Sequence, residues 1–230
     1  MVKENLQKVQ KNIEEACKRS DRSVEDVTLI AVSKTKPIEM IEEALAAGKT
    51  EFGENKAQEM KEKQEHLPDV IKWHFIGHLQ TNKVKYVVGR AALIHSVDSF
   101  HLAEAIQKEC EKKQVEADIL IEVNVAGEDS KFGVKPEDTE ALVRKIATLP
   151  LVHIRGLMTI APFVQNSEEN RPIFRELRKL SVDISSKNID NIDMNVLSMG
   201  MTGDYEVAVE EGATHVRVGT GIFGERNYQI

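Results

Sequence analysis

Two hydrophobic periods alternate along this chain. Val2, Leu6, Val9, Ile13 and Cys17 recur every three or four residues, which predicts an opening amphipathic helix. Residues 27–33 are then β-branched, aliphatic or small, which predicts a strand covered on both faces. Strand-like runs return at 50–53, 72–76, 92–97, 118–124, 152–158, 194–198 and 214–218. Helical patterns fill the spaces between them. One runs from Pro37, suited to a first turn, to a C-cap at Gly48, and a charged one covers 54–66. Another passes through Val84, Val87 and Val88 to Gly89, and the next carries Leu102, Ile106 and Cys110 behind a capping Ser99. Leu142 and Ile146 follow Pro136, Phe174 to Ile184 mark a long helix, and 204–211 a short one. Eight strands, the first seven each followed by a helical segment, predict a single-domain (β/α)8 TIM barrel over residues 1–230, with an extra N-terminal helix. An open doubly wound sheet has the same alternation, because periodicity does not report closure.

Composition narrows the setting. The 230 residues are 41% hydrophobic and 30% charged, enough for a full core without staples. No apolar run has the length of a membrane span, and the first residues have no apolar signal core, so a cytoplasmic protein is expected. Cys17 and Cys110 form no CxxC pair and read as free thiols. The net charge of -7 argues against a broad nucleic-acid surface. A monomer is the expectation.

A barrel gathers the carboxyl ends of its strands on one rim, where chemistry is done. Lys34, Asn55, His78, Asn124, Met158, Ser198 and Arg217 fall at or near such ends. A partly desolvated Lys34 can attack a carbonyl as the neutral amine, or it can simply snorkel to water. Lys36 is its local competitor, and Pro37 keeps the strand from continuing to it. In the last strand, alternation sends Arg217 to the face opposite Val216 and Val218, which places its guanidinium inside the barrel. Gly219, Gly221 and Gly224 spell G-x-G-x-x-G, but too little chain follows for a dinucleotide unit. These glycines, with SMGMTG at 198–203, still permit close backbone approach to a phosphate. His74 and His78 span a strand and a glycine, a poor zinc pair, and His215 reads as packed. An aldolase-type sugar-phosphate barrel fits the same residues less fully.

The stretches LIAVSKTKP, FGENKAQE, WHFIGHLQTNK, SVDS, IEVNVAGEDSKFG, GLMTI and LSMGMTGDYEVAVEEGATHVRVGTGIFG together resemble the pyridoxal 5'-phosphate homeostasis proteins, barrels similar to the N-terminal domain of alanine racemase. The resemblance implies pyridoxal 5'-phosphate as cofactor, held as a Schiff base on Lys34 with Asn55 beside its ring. It further implies a phosphate held by Ser198 and the backbone of Gly219 and Thr220, with Met199, Gly200 and Gly221 in the adjoining turns. Arg217 would face the pyridine nitrogen. The implied role is cofactor and amino-acid balance, with pyridoxal phosphate-dependent apo-enzymes as partners and no catalytic residue of its own. The alternative is a racemase or related enzyme. Against it, the second domain that gives alanine racemase its opposing tyrosine is not expected here, and Tyr86, Tyr205 and Tyr228 have no such context.

Overall fold

The alternating elements close on themselves. In this computed structural model, which describes residues 1–128 and 132–225, β1 (Thr28–Val32) pairs in parallel with β2 (Glu51–Glu54) on one side and with β8 (His215–Val218) on the other. Between them run β3 (Lys72–Phe75), β4 (Leu93–Val97), β5 (Ala117–Glu122), β6 (Val152–Met158) and β7 (Ile192–Met201), in chain order and all parallel. The result is a closed eight-stranded barrel and not an open sheet.

Parity along each strand decides what faces the helices and what faces the barrel interior. Phe52, Trp73, Phe75, Val216 and Val218 join the large apolar layer beneath the helices. That layer is built against α2 (Ile38–Ala46), α3 (Ala57–His66), α4 (Val84–Val87), α5 (Phe100–Lys113), α6 (Pro136–Ile146), α7 (Arg171–Ser185) and α8 (Tyr205–Glu210). Each large side chain it removes from water, such as Phe52 or Phe174, contributes about 1.5–3 kcal/mol. The opposite parity fills the interior with the small apolar group Leu93, Leu120 and Met158 and with buried polar residues, among them His74, His95, Ser198 and Arg217. The extra helix, α1 (Val2–Arg19), lays Val2, Leu6, Val9 and Ile13 against α2, α8 and α9 (Thr220–Phe223). Asn12 Nδ2 fixes it by donating to Tyr205 Oη at 2.9 Å. Cys17 and Cys110 are free and buried, and burial pushes both thiols up.

Three local differences bear on the site. β1 stops at Val32, and Ser33 to Lys36 form a turn closed by the Lys36 N–H donating to Ser33 O at 3.0 Å. Lys34 therefore stands on that turn, beyond the strand, and Pro37 is the N-cap of α2 in place of its first turn. The glycine-rich segment at 219–224 is not a bare turn. Gly219 and Gly224 flank the short helix α9. Finally, β7 runs past Ser198 to Met201, and its Gly200 has φ +93° with a virtual Cβ only 2.5 Å from that of Ala208. Only glycine lets α8 pack this closely against the end of β7.

Candidate functional site

The carboxyl ends of the strands open onto a cavity of about 400 Å³. Lys34, Asn55, Thr202, Arg217, Gly219 and Thr220 supply its polar wall, and Val32, Ile76 and Ile160 part of its apolar one. An apolar cleft with a few convergent polar groups is the usual form of a small-molecule site.

Lys34 is placed by a buried cluster behind it. Lys63 Nζ, from α3, donates to Ser33 O at 2.8 Å and to Glu54 Oε1 and Glu59 Oε1, each at 2.7 Å. Ser33 Oγ also donates to Glu54 Oε1, and the Thr35 N–H to Glu59 Oε1. Both neighbours of Lys34 are thus tied to one side, and Lys34 is left on the cavity wall. Burial raises the Glu54 pKa, against the pull of Lys63. Lys36 is committed elsewhere: its Nζ donates to the carbonyls of Phe223, Gly224 and Glu225 at 2.9–3.1 Å, where α9 ends. Cations belong at that end of a helix.

Asn55 Oδ1 is buried on the cavity wall with no hydrogen-bond partner among the described residues. Its backbone is pressed against Gly77, where a Cβ would come within 2.3 Å of Asn55 O. An unpaired buried amide oxygen costs about 1–3 kcal/mol unless something that enters the cavity satisfies it.

Arg217 points into the barrel and reaches the cavity floor. Its Nη1 donates to Ser198 Oγ at 2.5 Å and its Nη2 to Thr159 O at 2.9 Å. Burial lowers its pKa to about 10, opposed by Glu122 and Asp204, which leaves it a cation at neutral pH. Ser198 departs from its expected place. It lies inside the wall of β7, fully buried, with its hydroxyl occupied by Arg217 and by His95 Nδ1 at 2.8 Å. Met199 faces the helix-side core, and Gly200 lies beneath Tyr205 and Ala208. Gly221 stands behind the wall, its N–H donating to Thr202 Oγ1 at 3.3 Å.

The hydroxyl that does reach the cavity beside Gly219 is Thr202, which also accepts from Thr220 Oγ1 at 3.2 Å. The sequence pattern singled out SMGMTG and ended the strand four residues before Thr202, and the family resemblance implied its serine as the phosphate donor. Asp204 locks this turn by accepting from the Met201 N–H at 2.7 Å and from Asn170 Nδ2 at 2.8 Å. Other rim residues do not converge. Asn124 Nδ2 donates to Glu128 O within its own loop, and His78 stacks on Phe132 with centroids 3.7 Å apart. No group of histidine, cysteine or acidic residues suited to a metal occurs among the described residues.

Glu122, at the end of β5, went unnoticed in the sequence. Burial, then Asp98, pushes it up to about 7, with Arg217 opposing. A carboxyl whose folded pKa is raised contributes stability that is complete below its unfolded value and is lost as pH rises through the folded one. Between about pH 4.5 and 7, Glu122→Gln should therefore gain roughly 3 kcal/mol relative to the unmutated protein. Urea unfolding at pH 4.5 and pH 8 measures this, and a pH-independent difference would refute it.

A closed parallel barrel with a lysine on its first rim turn, an arginine in its last strand and a hydroxyl and glycine cradle beside them defines a class. The family model described as alanine racemase, N-terminal domain, matches residues 5–227. The chain is 48% identical to the pyridoxal phosphate homeostasis protein of Aquifex aeolicus, over 98% of each sequence. The structure of PipY from Synechococcus elongatus with PLP bound is 36% identical, covering 97% of this chain and 100% of that one, with a TM-score of 0.83. Alanine racemase from Corynebacterium glutamicum superposes with a TM-score of 0.74 at 13% identity, over 98% of this chain and 61% of the racemase, a likeness of fold alone. The chain belongs to the pyridoxal phosphate homeostasis protein family.

Proposed function

We propose that the cavity holds pyridoxal 5'-phosphate and that the protein keeps and supplies this cofactor instead of turning over a substrate with it. The observation that carries the reading is the convergence on one cavity of Lys34, the unpaired Asn55 oxygen, Arg217 and the Thr202–Thr220 pair. These groups fit the cofactor. Lys34 would hold it through its amine, to which the cofactor would supply an electrophilic aldehyde. Asn55 would lie beside the ring, and Arg217 would face the ring nitrogen. Thr202, Thr220 and the backbone at Gly219 would hold the phosphate, with Thr202 in the place expected of Ser198. When bound, the cofactor supplies an electrophilic aldehyde and an electron-withdrawing ring. The names of the relatives, which speak of homeostasis, and PipY with PLP bound support the same reading.

We also read the whole chain as one domain that serves pyridoxal phosphate-dependent apo-enzymes as a cytoplasmic monomer. None of its described helices is long and apolar enough to cross a membrane.

The test is discrimination between pyridoxal and its 5'-phosphate. A hydrogen bond to a charged group contributes about 1.5–3 kcal/mol. Thr202→Val is therefore expected to weaken retention of the phosphate form roughly 10- to 100-fold, with pyridoxal unaffected. Equal retention of both forms by the unmutated protein would remove the phosphate site. Rapid racemisation or transamination across an amino-acid panel, at rates on the order of 1 s⁻¹, would favour the racemase reading instead.

A further inference from the structure

The barrel interior holds a chain of polar side chains that the cavity reading does not use. Glu51 Oε2 lies 2.8 Å from His74 Nε2, and His74 Nδ1 lies 2.9 Å from His95 Nε2. His95 Nδ1 lies 2.8 Å from Ser198 Oγ, which accepts from Arg217 Nη1. These residues come from β2, β3, β4, β7 and β8, and His95 and Ser198 are fully buried. Glu51 ends the chain at the opposite mouth of the barrel, on a cavity of about 350 Å³ that also exposes Lys72, Arg155 and His215.

We infer that Glu51, His74, His95 and Ser198 form one directed hydrogen-bond relay that positions the Arg217 guanidinium under the cofactor cavity, with Glu51 as its distant counter-charge.

The direction of the relay follows from its arginine end. At one end Arg217 can only donate, so Ser198 Oγ accepts from it. Among the described residues, the single Ser198 proton then has His95 Nδ1 as its acceptor. His95 carries its proton on Nε2 and donates to His74 Nδ1, and His74 Nε2–H donates to Glu51. At the other end, Glu51 is held as a carboxylate, with its pKa brought down to about 2 by His74 and Lys72 against the cost of burial. A carboxylate there accepts from His74 Nε2–H, in agreement with this direction. A doubly protonated His74 would reverse both inner bonds and strand the buried Ser198 proton. Burial and the neighbouring His74, His215 and Arg217 also hold His95 neutral.

The relay matters to Arg217 because its direct partners are neutral. Among the described residues no carboxylate bonds it, and Glu122 and Asp204 act on it only at longer range. A buried cation held by a hydroxyl and a carbonyl keeps its orientation only if the hydroxyl's lone pair stays turned toward it. The histidine chain ensures this by taking the hydroxyl proton on the far side. Linked hydrogen bonds of this kind polarise one another. Other charged groups flank the relay. Lys72 pairs with Glu51 at 3.2 Å, Lys49 lies near His215, and the His215 ring lies 5.9 Å from that of His74.

The role toward the cofactor rests on the site reading above, but the relay itself is tested in cofactor-free protein. Long-range ¹H–¹⁵N spectra should show His74 and His95 both protonated at Nε2. Glu51→Gln keeps an acceptor for His74 but removes the counter-charge. It is expected to speed exchange of the Arg217 Nη protons on the order of fivefold, since losing a negative charge in the protein interior favours the deprotonated arginine through which exchange proceeds. Ser198→Ala, which cuts the relay beside the arginine, should speed it further and release the His95 tautomer. Lys72→Met, which removes the opposite charge at the same mouth and keeps the hydrogen-bond chain, should not speed exchange and should leave both tautomers unchanged. An Nδ1–H tautomer at either histidine overturns the relay. So does unchanged Arg217 exchange in Glu51→Gln, which would leave Ser198 as the sole positioning group. In the loaded protein, Glu51→Gln should release cofactor faster under conditions where the cofactor-free variant stays folded. If the cofactor-free spectra behave as expected but no cofactor binds, the site reading fails and the relay stands.

Discussion

Lys34→Ala is expected to leave a folded barrel that carries no covalently bound cofactor. Lys34 is half-buried and sits on the turn after β1. The hydrogen bonds that hold this turn are made by Ser33, Thr35, Glu54, Glu59 and Lys63. Those bonds remain when the Lys34 side chain is shortened, so the variant should still unfold cooperatively. The visible absorption of lysine-bound pyridoxal phosphate should vanish. Borohydride reduction of the unmutated protein, followed by peptide mass mapping, should place the pyridoxyl group on Lys34. Lys36 is the nearest substitute in sequence, but its ammonium is spread over three carbonyls at the end of α9. A Lys34→Ala protein with its full absorption band would show that another amine holds the cofactor.

Arg217→Met should have the largest effect on stability. The substitution keeps most of the volume but removes a cation from a site only 4% exposed. Ser198 Oγ and Thr159 O lose their donor. Glu122 loses the positive neighbour that opposes its burial, so its pKa rises beyond about 7. Breaking such a buried arrangement from one side costs about 3–5 kcal/mol. Because a raised carboxyl pKa takes stability away as pH increases, the deficit should be larger at pH 8 than at pH 5. Urea unfolding at the two values reads this directly. Arg217→Glu would add a carboxylate beside Glu122 and Asp204 and is expected to be worse still.

The same variant tests the proposed function of Arg217. A guanidinium stays protonated at neutral pH, so a pyridine nitrogen facing it must act as acceptor and remain unprotonated. Such a ring is a poor electron sink, which suits a protein that holds a reactive aldehyde without consuming it. With methionine in place, the ring nitrogen should gain a proton, visible by ¹⁵N NMR of labelled cofactor, and slow side transamination should rise. Loss of cofactor as in Thr202→Val, with no change at the ring nitrogen, would make Arg217 a phosphate ligand instead.

The local patterns that sequence carries are those a chain reads within a few residues of itself. The unbroken run of β-branched, aliphatic and small residues at 27–33 and the helical spacing from Val2 to Cys17 set a strand and a helix, because both are read from residues within a few positions of one another. The same parity argument turns Arg217 into the barrel, because Val216 and Val218 claim the helix side. Tertiary structure decided the rest. Closure depends on β1 meeting β8, a pairing of segments at opposite ends of the chain that no local period contains. The committed state of Lys36 depends on carbonyls of α9, nearly the whole chain away. That β7 carries Ser198 inside the wall and Thr202 out to the rim depends on the length of the strand, which the sequence pattern ended at Ser198. Glu51, His74, His95 and Ser198 are unremarkable as separate letters. They become one relay only because barrel closure brings the inward faces of separate strands within hydrogen-bond distance.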